Sequence, residues 1–397
     1  MRRLPPGIAA LIAPLLVAPA LVSTPAQAAT PAPAFMRWNS TAELAQGERS
    51  STVAVSNGTV VLKSGTQGAW RSPWRSTGYA AKTLIPSWTG STPSGTKLKI
   101  QVRVKSGSTV GSWDDVAHWG TRMKRLSGSA QSDDLARVAV DTIKTNAGKS
   151  FTAYQVRVTL WRSSTATTSP RLGSVNAVAS PWDTRSRATS KTTMTRTVDL
   201  AVPVASQMIH RNHYPEFNGG GDAWCSPTSA SMLMGYAGLL PKPSYYAYTR
   251  EKQGYVDHAA RYAYDYAYQG TGNWAFTTAY AAQYGADAFV TRLASFAEAE
   301  QLIKAGIPMA ISIAFPRGGL SGAPLSSTPG HLLVVRGFTA DGSPIVNDPA
   351  APANSSVRRV YSRAQLEKAW QEGSGGVTYV VRKPTTKLPA GSARWRP

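Results

Sequence analysis

The stretch Gly219-Gly220-Gly221-Asp222-Ala223-Trp224-Cys225-Ser226-Pro227-Thr228-Ser229 contains the only cysteine of the 397-residue chain. Beyond it Ala230, Met232, Leu233 and Tyr236 recur at helical spacing, and Gly238 stands where such a run would end. This pattern predicts a helix with Ser226 near the N-cap and Pro227 at the first helical position. Cys225 then sits at the mouth of the helix. A thiol attacks a carbonyl as the thiolate, and its ordinary pKa of about 8.5 leaves little thiolate at neutral pH. The free amides of a helix N-terminus favour the anion, and an imidazole partner would favour it further. With one cysteine, no intramolecular disulfide can form, so the thiol is either free or paired between molecules.

Five histidines could supply the imidazole: His118, His210, His213, His258 and His331. His118 falls in a β-patterned segment and His258 on a predicted helix face. His331 begins a predicted strand, His331 to Phe338, directly after the loop 316–330. A turn at Asp341-Gly342 returns the chain through Ile345-Val346-Asn347 to Asp348. Such a hairpin brings Asp348 within a residue or two of His331. A carboxylate there can hold the second ring nitrogen and support the imidazolium. Upstream, Ser295-Phe296-Ala297-Glu298 reads as a capping box, and Ile307 to Phe315 reads as a buried strand. Ser362 to Trp370 reads as a helix and Gly376 to Arg382 as a last strand.

The Cys225 stretch, Gly330-His331-Leu332 through Gly337-Phe338, and Val346-Asn347-Asp348-Pro349 together resemble the bacteriocin-leader-processing cysteine peptidases of the papain clan, family thirty-nine. They resemble the secreted actinobacterial relatives of those enzymes more closely. The resemblance runs from about Leu200 to Arg382 and implies a papain-like fold, with a Cys-bearing helix packed on an antiparallel sheet. It also implies an oxyanion donor upstream of the cysteine, which Gln207 in Val202-Pro203-Val204-Ala205-Ser206-Gln207 matches. Eighteen positions separate Gln207 from Cys225, so the segment 208–222 must fold back for Gln207 to reach the site. The family's transporter-bound members process leader peptides at the membrane. This chain has neither membrane spans nor a Gly-rich ATP-binding motif, so that role is not carried over.

Outward from this unit, residues 36–183 change to short alternating runs broken by Gly, Ser, Pro and Asn. Lys97-Leu98-Lys99-Ile100-Gln101-Val102-Arg103-Val104-Lys105 and Tyr154-Gln155-Val156-Arg157-Val158-Thr159-Leu160 alternate at period two, the signature of strands with one buried face. The expected fold class is therefore α+β, a papain-like cysteine peptidase domain over 199–385 preceded by an all-β, sandwich-like domain. Residues 29–35 and 184–198 read as linkers and 386–397 as a tail. Residues 1–28, with Met1-Arg2-Arg3, an apolar run from Ile8 to Val22 and Ala26-Gln27-Ala28, read as a signal peptide. No stretch is long and apolar enough to span a bilayer. The expected location is outside the cell, with association with the cell wall as a further expectation.

The formal charge of +22 lies mostly in the front half, which suits an anionic cell-wall polymer better than a specific nucleic acid, because no nucleic-acid motif accompanies it. Trp70, Trp74, Trp88, Trp113 and Trp119 are read mainly as packing residues, with a sugar-stacking platform as the sharper alternative. The Tyr-rich segment 245–284 is read mainly as core and rim, with a substrate groove as its alternative. His210 and His213 have i, i+3 spacing but no evident third ligand, so neither a metal nor another cofactor is expected. The function expected is a secreted cysteine-dependent peptidase or amide hydrolase acting on peptide or cell-wall peptide. It would use Cys225 as nucleophile, His331 as base and acid, Asp348 to orient the histidine, and Gln207 at the oxyanion. A non-catalytic cell-wall or glycan-binding surface protein, or an acyl transferase with the same triad, are the alternatives.

Overall fold

A computed structural model describes residues 31–128, 134–249 and 252–395; the proposed signal peptide lies outside them. From residue 31 onward the described residues form one compact unit containing three antiparallel sheets.

The front domain is built from two of these sheets. In one, the long strands Thr96–Ser106 and Phe151–Arg162 pair along their length, with Val102 opposite Val156 and Leu98 opposite Leu160. Leu98, Ile100, Val102 and Val104 are all buried, while Lys97, Lys99, Arg103 and Lys105 between them stay partly exposed. Alternation in the sequence thus becomes a sheet with one wet face. In the other sheet, Thr83–Ser91 pairs with Arg171–Ser180. Both strands are buried almost throughout, because the first sheet covers one of their faces and the back domain covers the other.

That second contact is apolar and close. Phe276 meets Trp119 at 5.2 Å and Trp88 at 6.2 Å between ring centroids, and Phe35 meets Phe289 at 5.1 Å. The Ser87 hydroxyl accepts from the Val290 amide, and Arg37 pairs with Asp287. Trp70, Trp88 and Trp119 are wholly buried, so these three are packing residues. The expected linker 184–198 is irregular chain fastened to the back domain, with Thr193 donating to Glu300 and Ser190 to Glu367. The tail is fastened too: Trp395 is fully buried and Arg394 donates to Pro33 O. The first strand begins at Ala34, inside the expected first linker.

The third sheet, ordered with Met309–Phe315 between Val377–Arg382 and Thr328–Phe338, belongs to the back domain. Helices Cys225–Tyr236, Tyr255–Ala263 and Trp274–Ala282 pack with one another beside it. Three local expectations need correction. The cysteine helix starts at Cys225 itself, two residues before Pro227, and its N-cap is Trp224. Ser226 caps nothing, because burial turns its hydroxyl to Thr277 (2.9 Å) and Tyr379 (3.0 Å). The Ser295 capping box does not close, since Glu298 accepts instead from the Ala294 amide and pairs with Arg394. The histidine strand begins at Thr328, so His331 lies inside it.

Candidate active site

Cys225 opens its helix beside the strand that carries His331. Three bonds fix the approach: the Ser226 hydroxyl to Thr277 and to Tyr379, and the Ser229 hydroxyl donating to Leu332 O at 3.2 Å. The His331 side chain and the backbone N–H groups of Leu332 and Ser226 act on the thiol in the direction that favours its anion. The His331 ring nitrogen Nε2 lies 2.8 Å from Asp348 Oδ1. Nε2–H donating to the carboxylate leaves Nδ1 to face the thiol.

Asp348 follows directly from the strand Pro344–Asn347, which pairs with the His331 strand through Val334 opposite Asn347. Its own carboxylate is held: Tyr361 OH donates to Oδ2 at 2.7 Å and the Ala350 amide to Oδ1 at 3.1 Å. Both His331 and Asp348 are buried, while Cys225 is partly exposed at the floor of a cleft.

The electrostatics favour an ion pair. Burial raises the Cys225 thiol, but the hydrogen bond and charge of His331 outweigh it and bring the pKa below its ordinary value. Burial disfavours the imidazolium, yet Asp348 and the Cys225 thiolate push His331 up to about 10. Burial also works against the Asp348 carboxylate, and His331, Tyr361 and the Ala350 amide hold it below the usual range. The three groups support one another's charged forms.

Gln207 reaches this cleft. Its Nε2 donates to Asp222 O at 2.8 Å, which leaves the second amide hydrogen uncommitted to that bond, and its backbone N–H donates to Pro349 O at 2.9 Å. The segment between Gln207 and Cys225 therefore does fold back. A glycine at 221 permits this, because a Cβ there would overlap the Gln207 carbonyl. His210 and His213 converge on Asp257, at 2.9 Å and 2.8 Å, and anchor the turn that carries Gln207 to the helix Tyr255–Ala263. Asp257 is the third side chain that spacing alone did not reveal.

The cleft has a volume of about 820 Å³ and is lined from both domains. Opposite Cys225 and His331 stand Val140, Asp141 and Thr142, from the turn between the front-domain strands Ala136–Ala139 and Thr142–Thr145. Asp141 is buried, and its carboxylate caps the helix Trp274–Ala282 by accepting the Trp274 amide at 2.5 Å. Burial pushes its pKa up to about 6, against the hydrogen bonds of Trp274 and Thr142. Sequence reasoning missed this wall: Val140-Asp141-Thr142 reads as an ordinary turn, and nothing local places it facing residue 225. Tyr361 was missed as well, having no motif of its own. Of the Tyr-rich segment, Tyr268 lines the cleft, whereas Tyr280 is buried in a ring cluster around His258.

Residues 34–180 match the Peptidase C39 N-terminal domain and residues 199–377 match the Peptidase_C39 like family. A solved structure from Bacillus anthracis, described as C39-like, is 16% identical; the match covers 47% of this chain and 98% of that one, with a TM-score of 0.32. No curated protein matches the chain.

Proposed function

We propose, on the premise that the chain resembles the C39-like peptidases in both of its domains, that it is a secreted cysteine peptidase or amide hydrolase with Cys225, His331 and Asp348 as its triad. The observation that carries this reading is the polarised Cys225–His331–Asp348 chain, with Asp348 Oδ1 2.8 Å from His331 Nε2. A helix opening on the nucleophile beside an antiparallel sheet bearing the base supports a papain-like arrangement of the back domain.

The Cys225 sulfur attacks the scissile carbonyl carbon, and the carbonyl electron pair moves onto oxygen. The second Gln207 amide hydrogen and the Cys225 backbone N–H are the proposed donors to that oxyanion. As the tetrahedral adduct collapses, the C–N bond breaks and His331 gives its proton to the departing amine. His331 then removes a proton from water, which attacks the thioester. The C–S bond breaks, the acid leaves, and the thiolate–imidazolium pair returns. Asp348 remains an anion throughout and stabilises the imidazolium.

Substrates are peptides, free or in cell-wall material, seated between the hairpin turn 139–142 and the segment 327–332. Secretion rests on the signal-like residues 1–28; no helix among the described residues is long and apolar enough to cross a membrane. The test is digestion of a peptide library and of cell-wall fragments by wild type and Cys225→Ala, with and without an added amine. Cleavage by wild type alone, with acids as products, is the expected result. Equal cleavage by both proteins overturns the reading, and amide products in the presence of amine reassign the chemistry to acyl transfer.

A further inference from the structure

We propose that the wet face of the front-domain sheet built on Thr96–Ser106 and Phe151–Arg162 is a binding site for an anionic polysaccharide. This site is separate from the Cys225 cleft, and its test does not depend on catalysis.

Register puts its cations on one surface. Lys97 lies opposite Trp161, Lys99 opposite Thr159, Gln101 opposite Arg157 and Arg103 opposite Gln155. On the next strand Arg71 lies opposite Arg157, and on the other side His118 lies opposite Lys99. Cross-strand partners share a face, so these side chains project together. Lys97, Lys99, Arg103, Lys105, Arg71 and Arg157 gather there, with Asp115 pairing with Lys99 and lying 3.9 Å from His118, and Glu48 pairing with Arg71. Between the strands lies a hollow of about 500 Å³ lined by Lys97, Lys99, Gln101, His118, Arg157 and Trp161.

Like charges placed directly across a sheet destabilise it. Their mutual effect is visible locally: burial and then Arg71 and Arg157 lower the Arg103 pKa, and burial and then Lys99 lower that of His118. A polyanion laid along the strands would neutralise this repulsion and release its own counterions. The aromatic rings on this face are already covered by its cations. Arg157 lies 4.3 Å and Arg103 4.6 Å from the Trp113 ring, Arg103 4.9 Å from Trp74, and Lys97 4.7 Å from Trp161. Rings engaged in this way are poor platforms for stacking sugars or bases alike, so recognition on this face runs through charge and hydrogen bonds. Gln67 and Thr159 on the same hollow supply hydrogen-bonding groups suited to sugar hydroxyls.

The experiment uses the full chain carrying Cys225→Ala, so that no hydrolysis intervenes. Binding of polygalacturonate, neutral dextran and a single-stranded DNA oligomer is measured by titration at several salt concentrations. Polygalacturonate should bind with an affinity that falls steeply with salt, dextran should not, and adding Lys99→Gln with Arg157→Gln should weaken polygalacturonate binding ~10-fold or more. A control Lys368→Gln on the back domain should leave it unchanged, and thermal unfolding of each variant checks that the sheet persists. Absence of binding at low salt, or equal binding by the double variant in its folded state, overturns the site. Tighter binding of the DNA than of polygalacturonate overturns its assignment to a glycan.

Discussion

Replacing Asp348 by asparagine removes one charge and little else. Asparagine keeps an oxygen for the His331 Nε2–H and the Ala350 N–H, and its amide can still meet the Tyr361 hydroxyl. What disappears is the anion that, with the thiolate, outweighs burial and lifts His331 to about 10. Two unit charges about 4 Å apart interact by roughly 4 kcal/mol at an effective dielectric constant of about 20, equivalent to about three pKa units. His331 in the variant should therefore lose its proton in or below the neutral range, and the thiol should lose its counter-ion. Iodoacetamide alkylation of Cys225 against pH reads this directly. In wild type the rate should hold from weakly acidic solution up to the alkaline range. In Asp348→Asn, alkylation at neutral pH should slow by ~10- to 1000-fold and follow the titration of an ordinary buried thiol. An Asp348→Asn profile superimposable on wild type would refute the reasoning, because His331 and Cys225 would then be charged without help from residue 348.

Other consequences can be measured independently. His331 has a folded pKa above its unfolded value of 6.5, so its contribution to stability is complete below that value and is lost as pH rises through about 10; urea midpoints of wild type should fall over this interval and those of His331→Ala should not. Asp141 is raised from 3.8 to about 6, so its burial destabilises the fold increasingly as pH rises through that window. Asp141→Asn keeps an acceptor for Trp274 and should gain up to about 3 kcal/mol over wild type at neutral pH relative to pH 4, by chemical denaturation. Gly221→Ala should displace Gln207 and lower kcat on a peptide substrate more than it lowers the thermal midpoint of unfolding. Phe276→Ala should cost about 3–5 kcal/mol, and calorimetry should still show a single transition for both domains, because its ring packs on Trp88 and Trp119 of the front domain.

The parts of the fold that were legible in sequence are those in which one residue's neighbours decide its environment. Alternation along Lys97–Lys105 is enough to make one face dry, and it does so. The His331 and Asp348 strands could be matched because one short turn joins them, and hairpin geometry limits the register. The caps failed for a different reason. Ser226 and Glu298 each have a local backbone option, but Tyr379, Thr277 and Arg394 arrive from 51 or more residues away in sequence and take their polar atoms. The cleft wall at 139–142 and the Tyr361 bond to Asp348 are likewise long-range, with no local pattern to announce them. Thr83–Ser91 and Arg171–Ser180 are the instructive intermediate case. Their nearly continuous burial hints that a second layer covers them, without saying that the layer is the back domain.

The shared cleft bears on how such a protein can change. The boundary between residues 180 and 199 separates two regions that match different family models, yet the hollow above Cys225 has one wall from each. A front domain exchanged for another would bring its own turn at 139–142 to the cysteine, so the module that carries no nucleophile could still alter which chains reach it. Changes in the β domain and changes in the cleft would then meet in a single turn of four residues, and neither could be retuned entirely without the other.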